Sequence, residues 1–181
     1  LTTNSFRANR HSLASHHLED RVIELNRQAA KVACEAADGR AWVLGSIGPF
    51  GGFLEPLGQT TGGEALSFFT AQAGALLEGG ADGIVIETMT AAEEVEIAIR
   101  AARNAGARVI VALMTFGRAK GSFRTMMGVD PQQAVRTMEE AGADIVGSNC
   151  GDGLSMEDYV DLVRIIRSLT EKPVVIRPNA G

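Results

Sequence analysis

Three copies of one short pattern constrain this chain more than any other feature. Gly79-Gly80-Ala81-Asp82-Gly83-Ile84-Val85-Ile86 recurs as Ala105-Gly106-Ala107-Arg108-Val109-Ile110-Val111 and again as Ala141-Gly142-Ala143-Asp144-Ile145-Val146. Each copy reads as a helix end, a glycine able to take the left-handed conformation that stops the helix, and a short apolar strand. A helix that hands over to a strand three times is a βα repeat. The strands carry continuous β-branched runs without polar alternation, the mark of strands buried on both faces in a parallel sheet.

On that reading strands are expected at 42–47, 83–88, 108–114, 144–149 and 173–177, with residues 1–5 as the tail of another. Helices are expected at 18–36, 62–79, 91–104, 131–141 and 156–169. The first should bury Leu18, Val22, Leu25, Ala29, Val32 and Ala36, which share a face at helical spacing. Thr61-x-x-Glu64, Thr90-x-x-Glu93 and Ser155-x-x-Asp158 fit the capping box, and Asp130-Pro131 offers an N-cap followed by proline in the first helical position. Two parallel architectures meet this pattern, a doubly wound sheet and a (β/α)8 barrel. The regular alternation favours the barrel, although 181 residues fall short of the roughly 200–250 that a full barrel takes.

Composition narrows the function. The net charge of −5 and the absence of any long Lys/Arg cluster argue against a nucleic-acid partner. No apolar run approaches the roughly 20 residues of a membrane helix, and Leu1-Thr2-Thr3-Asn4 lacks the layout of a signal peptide. Cys34 and Cys150 are too few for a disulfide framework, so a reducing, cytoplasmic compartment is expected. Cys34, beside Ala33 and Ala36, reads as core.

Parallel α/β folds build their sites at the C-terminal ends of strands. There stand Asn4 and Ser5, Ser46, Glu87 and Thr88, Thr115, Asn149 and Cys150, and Arg177 and Asn179. Glu87 ends an apolar strand, where a carboxylate needs a partner: a ligand ammonium, a salt bridge to a neighbouring strand, or a place capping the next loop. Cys150 is open to three readings, a nucleophile, a soft-metal ligand or a small buried residue. No Cys-x-x-Cys or His-x-x-x-His spacing closes a zinc site locally. His11, His16 and His17 precede the first long helix, away from any strand end. The loop Gly45–Gly63 lacks a P-loop or dinucleotide fingerprint and reads as a flexible cover for the mouth. Arg118–Gly128, with Arg118, Lys120 and Arg124, reads as a solvated loop.

At these strand ends the sequence resembles the homocysteine S-methyltransferase family. That family includes the homocysteine-binding domain of cobalamin-dependent methionine synthase and enzymes using betaine or S-methylmethionine. The matching segments are Thr2-Thr3-Asn4-Ser5-Phe6, Glu24-Leu25-Asn26-Arg27-Gln28-Ala29-Ala30, Gly45-Ser46-Ile47-Gly48-Pro49, Glu87-Thr88, Gly147-Ser148-Asn149-Cys150-Gly151 and Pro178-Asn179-Ala180-Gly181. They occur in the family's order and cover essentially the whole chain, and the closing Pro-Asn-Ala-Gly leans towards the methionine-synthase branch.

The resemblance implies a zinc-containing (β/α)8 barrel that methylates the thiol of homocysteine to give methionine. Cys150 matches the first of three zinc-ligating cysteines, and Glu87 matches a carboxylate holding the homocysteine amino group. Asn4, Ser5, Thr88, Asn149 and Asn179 match pocket-lining positions. Zinc deprotonates a coordinated thiol, so the chemistry asks for no catalytic base. The resemblance places the family's first strand before Leu1 and two further zinc cysteines after Gly181. Residues 1–181 are thus expected to be a single homocysteine-binding barrel domain truncated at both ends, holding strands two to seven. Cobalamin or folate would enter through other domains, and a second copy or another domain would cover the open edges. Two rival readings are a catalytically silent barrel fragment that binds an amino acid or a partner chain, and a metal-independent barrel lyase using Glu87.

Overall fold

The computed structural model describes residues 1–119, 121–151 and 153–179. The strands are β1 (Leu44–Ile47), β2 (Gly83–Met89), β3 (Ile110–Met114), β4 (Gly117–Ala119), β5 (Ser122–Arg124), β6 (Ile145–Asn149) and β7 (Val174–Arg177). The helices are α1 (Arg10–Ala14), α2 (Val22–Ala37), α3 (Gly62–Glu78), α4 (Ala92–Asn104), α5 (Pro131–Ala141) and α6 (Met156–Leu169). Five strands form one parallel sheet in the order β1-β2-β3-β6-β7. Residues 1–5, expected as a strand tail, contribute one parallel bridge from Thr2 to Leu44.

The strand order climbs without reversal, and α2 through α6 pack successively against one another. A doubly wound sheet would reverse its order and place helices on both faces. Here α2 through α6 each send buried residues into one cluster on a single face, where Ile84, Ile86 and Ile110 meet Phe69, Val95 and Ile99. Each such side chain contributes about 1.5–3 kcal/mol by leaving water. Among the described residues, the buried apolar cluster of the other face is Val85, Val111 and Leu113, flanked by half-buried Leu44, Ile145 and Val175. No helix is long and apolar enough to cross a membrane among the described residues.

The repeat's glycines do what the sequence asks of them. Gly80, Gly106 and Gly142 adopt φ of 105°, 95° and 101°, a conformation that a Cβ would strain. Thr61 with Glu64 and Ser155 with Asp158 form complete capping boxes, and Asp130 accepts the Gln133 N–H ahead of Pro131.

Four expectations are corrected. Thr90 does not cap α4: Ala91 holds the N-cap position without a side-chain bond, while the Thr90 carbonyl accepts from Thr125 Oγ1 at 2.6 Å. The buried face of α2 runs through Val22, Asn26, Ala30 and Ala37, leaving Val32 and Ala36 exposed. Asn26 is drawn inward because its Nδ2 donates to the carbonyls of Ala8 and Val22. Cys34 is half-buried rather than core, its thiol donating to the Gly80 carbonyl at 3.2 Å, and burial pushes its pKa up. The segment read as a solvated loop contains the β4–β5 hairpin, with Phe123 buried beneath the Arg118 guanidinium. Arg118 pairs with Asp158 and Arg124 with Asp130, and Lys120 lies outside the described residues.

Candidate functional site

Alternation along each strand decides what reaches the open face. Two residues beyond Leu44, Val85, Leu113, Gly147 and Val175 come Ser46, Glu87, Thr115, Asn149 and Arg177. An apolar or glycine layer is thus followed, one step nearer the C-terminal rim, by a polar one.

The geometry is set at the end of β2. Its pairing with β3 slips between Ile86 and Met89, so Glu87 and Thr88 bulge out of the ladder. Ile86 and Met89 both remain fully buried on the helix-covered side. Thr88 takes φ of 64°, a left-handed conformation costly for a β-branched residue. Bulges of this kind re-aim side chains beside functional sites. Cys150, just past β6, is left-handed as well, at φ 53°.

Asn149 ties these two strained positions together. Its Oδ1 accepts the Thr88 backbone N–H at 2.7 Å. Only the oxygen can accept there, so the amide's Nδ2 is directed at Thr88 Oγ1 (2.8 Å) and Cys150 Sγ (3.3 Å). Thr88 Oγ1 lies 3.9 Å from the same sulfur. Thr115 Oγ1 donates to the Asn149 carbonyl at 3.0 Å. The Cys150 backbone is held from below, its N–H donating to the Arg177 carbonyl and its carbonyl accepting from Tyr159.

Glu87 is fixed at both oxygens. Ser46 Oγ donates to Oε1 at 2.6 Å, and Arg177 Nη1 donates to Oε2 at 2.9 Å. The ion pair does not join neighbouring strands, since β7 stands three positions from β2 in the sheet. Glu87 does not cap the next helix, where Ala91 holds that position.

Of the other residues singled out in the sequence, Ser5 touches this group through Ser46. Ser5 is buried and donates to the Ser46 carbonyl at 2.8 Å, and its hydroxyl shares a bond with Thr3 Oγ1, so it supports the backbone under Ser46. Asn4 and Asn179 are exposed beyond their strand ends. Ala180 and Gly181, which complete the Pro-Asn-Ala-Gly segment, lie outside the described residues. Ser46, Thr115 and Arg177 enter the site although the sequence reading gave them no role. The two-residue step from each apolar strand residue is the signal that finds them.

A further buried acid follows β2 in the chain. Glu94, in the first turn of α4, is 6% exposed and accepts the Phe50 N–H at 2.9 Å. Burial raises its carboxyl above the usual range, and the bond from Phe50 partly opposes that. Glu94 thereby pins the loop after β1 over an apolar cavity of about 220 Å³.

Among the described residues, no group of three or more His, Cys, Asp or Glu side chains could hold a metal ion. Cys150 supplies a single thiolate donor, and structural or catalytic zinc asks for at least three protein ligands. The residues present do not make a metal centre on their own.

The family model for homocysteine S-methyltransferase matches residues 1–181. Methionine synthase from Mycobacterium tuberculosis is 28% identical over 189 residues, covering all of this chain and 16% of that protein. Methionine synthase from Mycobacterium leprae is 28% identical over 191 residues, covering 15% of its length. Among solved structures, the metallated form of the Escherichia coli homocysteine methyltransferase MmuM aligns with a TM-score of 0.82 at 20% identity. The alignment spans 99% of this chain and 66% of that one. Its oxidised form aligns with a TM-score of 0.79 at 22% identity. The chain therefore spans about one sixth of the curated relatives it matches, and shares its fold with a larger part of MmuM.

Proposed function

Because this chain belongs to the homocysteine S-methyltransferase family, we propose that it builds most of a barrel pocket that binds homocysteine and presents its thiol for methylation to methionine. The observation that carries this reading is the convergence of Glu87, Thr88, Asn149 and Cys150 on one rim of the open sheet face. An α-ammonium group needs a desolvated anion, and Glu87, its side chain 13% exposed, is the carboxylate aimed into that rim.

In this reading Glu87 holds the substrate ammonium, with Ser46 fixing the carboxylate's rotamer. Thr88 and Asn149 wall the thiol end, and Asn4, Ser5 and Asn179 border the mouth. The homocysteine thiol first loses its proton to solvent; the thiolate sulfur then gives an electron pair to the methyl carbon while the bonding pair leaves with the donor. No side chain is required to act as base in that displacement. The zinc that the family resemblance implies would take Cys150 as one thiolate. The side chains described here do not complete the set, and no step is assigned through the ion.

The test uses the intact protein. Cys150→Ser is expected to abolish both metal retention and methyl transfer to homocysteine, measured by metal analysis and by methionine formation. Full metal occupancy with unchanged turnover in that variant would overturn the assignment of Cys150.

A further inference from the structure

The carboxylate proposed to receive an ammonium holds a cation of the chain's own. Arg177 Nη1 lies 2.9 Å from Glu87 Oε2. The two partners differ in freedom. The Glu87 side chain is 13% exposed and its other oxygen is held by Ser46, whereas the Arg177 side chain is 42% exposed. The Arg177 backbone is anchored, paired with Asn149 in the sheet and accepting the Cys150 N–H at 3.0 Å. An anchored backbone with a solvated guanidinium can swing its charge by a few ångströms without disturbing the fold.

An α-amino acid brings an ammonium and a carboxylate together. If the ammonium takes Glu87, the carboxylate arrives next to a guanidinium that has just lost its partner. Arg118 and Arg124 are occupied by Asp158 and Asp130. The planar fork of Arg177 matches a carboxylate bidentately. We propose that Arg177 determines specificity for the α-carboxylate: it neutralises Glu87 in the empty pocket, then transfers to the substrate carboxylate as the substrate ammonium replaces it. One ion pair becomes two, and no charge is left unmatched. A ligand without the carboxylate would leave the guanidinium unpaired, and one without the ammonium would not release it from Glu87.

The proposal rests on the homocysteine reading of the site, and one experiment separates the two. The intact protein, wild type and the Arg177→Met and Arg177→Lys variants, is titrated calorimetrically with L-homocysteine and with its decarboxylated analogue, an aminopropanethiol. In Arg177→Met, L-homocysteine is expected to weaken roughly tenfold or more, the loss of a charge-assisted contact. The aminopropanethiol, which never used Arg177 and no longer competes with it for Glu87, is expected to bind as well as before or better. The preference for the carboxylate therefore collapses, and Arg177→Lys, which keeps the charge but not the fork, recovers part of it. A preference unchanged in Arg177→Met and Arg177→Lys overturns the role of Arg177 while leaving the homocysteine reading standing. A wild type that binds neither ligand overturns both.

Discussion

The two faces of this sheet are built from the same strands and do opposite work. The helix-covered face is filled by fully buried side chains such as Phe69, Ile86 and Ile99. The open face carries one thin apolar layer, Val85, Val111 and Leu113, and then turns polar at the rim with Ser46, Glu87, Asn149 and Arg177. A single step of two residues separates the layer that supports the sheet from the polar layer proposed to meet a ligand. Stability and the proposed recognition thereby fall on different side chains of the same strands, and substitutions on the two faces should separate them.

The largest loss of stability is expected on the covered side. Phe69 is fully buried between α3 and the sheet. Phe69→Ala should cost about 3–5 kcal/mol, read from denaturant midpoints. A loss below 1 kcal/mol would show that the covered face is not where the fold's stability lies.

A smaller effect is expected at Glu94, in the first turn of α4. Glu94→Ala leaves the buried Phe50 N–H without its acceptor, at a cost of about 1–3 kcal/mol. Glu94→Gln keeps the acceptor and removes the charge, which sharpens the test. The folded carboxyl is raised above its unfolded value, so the folded state holds its proton more tightly. Wild-type stability should therefore fall as pH rises from the ordinary carboxylate range through the raised folded value. Glu94→Gln should lack that component, matching wild type in acid and equalling or exceeding it at neutral pH. Denaturation midpoints across that range check the sign, and a wild type that gains stability relative to Glu94→Gln with rising pH would contradict it.

How much of this was legible in the chain follows the same division. The covered face is written in runs of β-branched residues and in glycines that must turn left-handed, so the strands and most helices could be placed from the sequence. The capping boxes at Thr61 and Ser155 were equally local. Thr90 shows where local reading fails, because its carbonyl is engaged by Thr125, 35 residues away, and the helix starts one residue later. Asn26 fails for a related reason: its burial depends on the Ala8 carbonyl, which helical periodicity does not see. At the site, Glu87 and Cys150 stand out by residue type and position. The bulge that re-aims Thr88 depends on register between strands, and the reach of Arg177 depends on the two strands that intervene between β2 and β7. Neither is carried by any one segment.

We propose that the open-face rim, through Glu87, holds homocysteine by its ammonium. The most direct measurement is calorimetric titration of the intact protein with L-homocysteine, wild type against Glu87→Gln, with the thermal midpoint recorded for each. Glu87→Gln is expected to lower affinity by roughly tenfold to a hundredfold. Folding stability should stay within about 1 kcal/mol, since the ion pair it removes is partly solvated. Unchanged affinity, or a loss of binding that only tracks a loss of folding, would contradict the account.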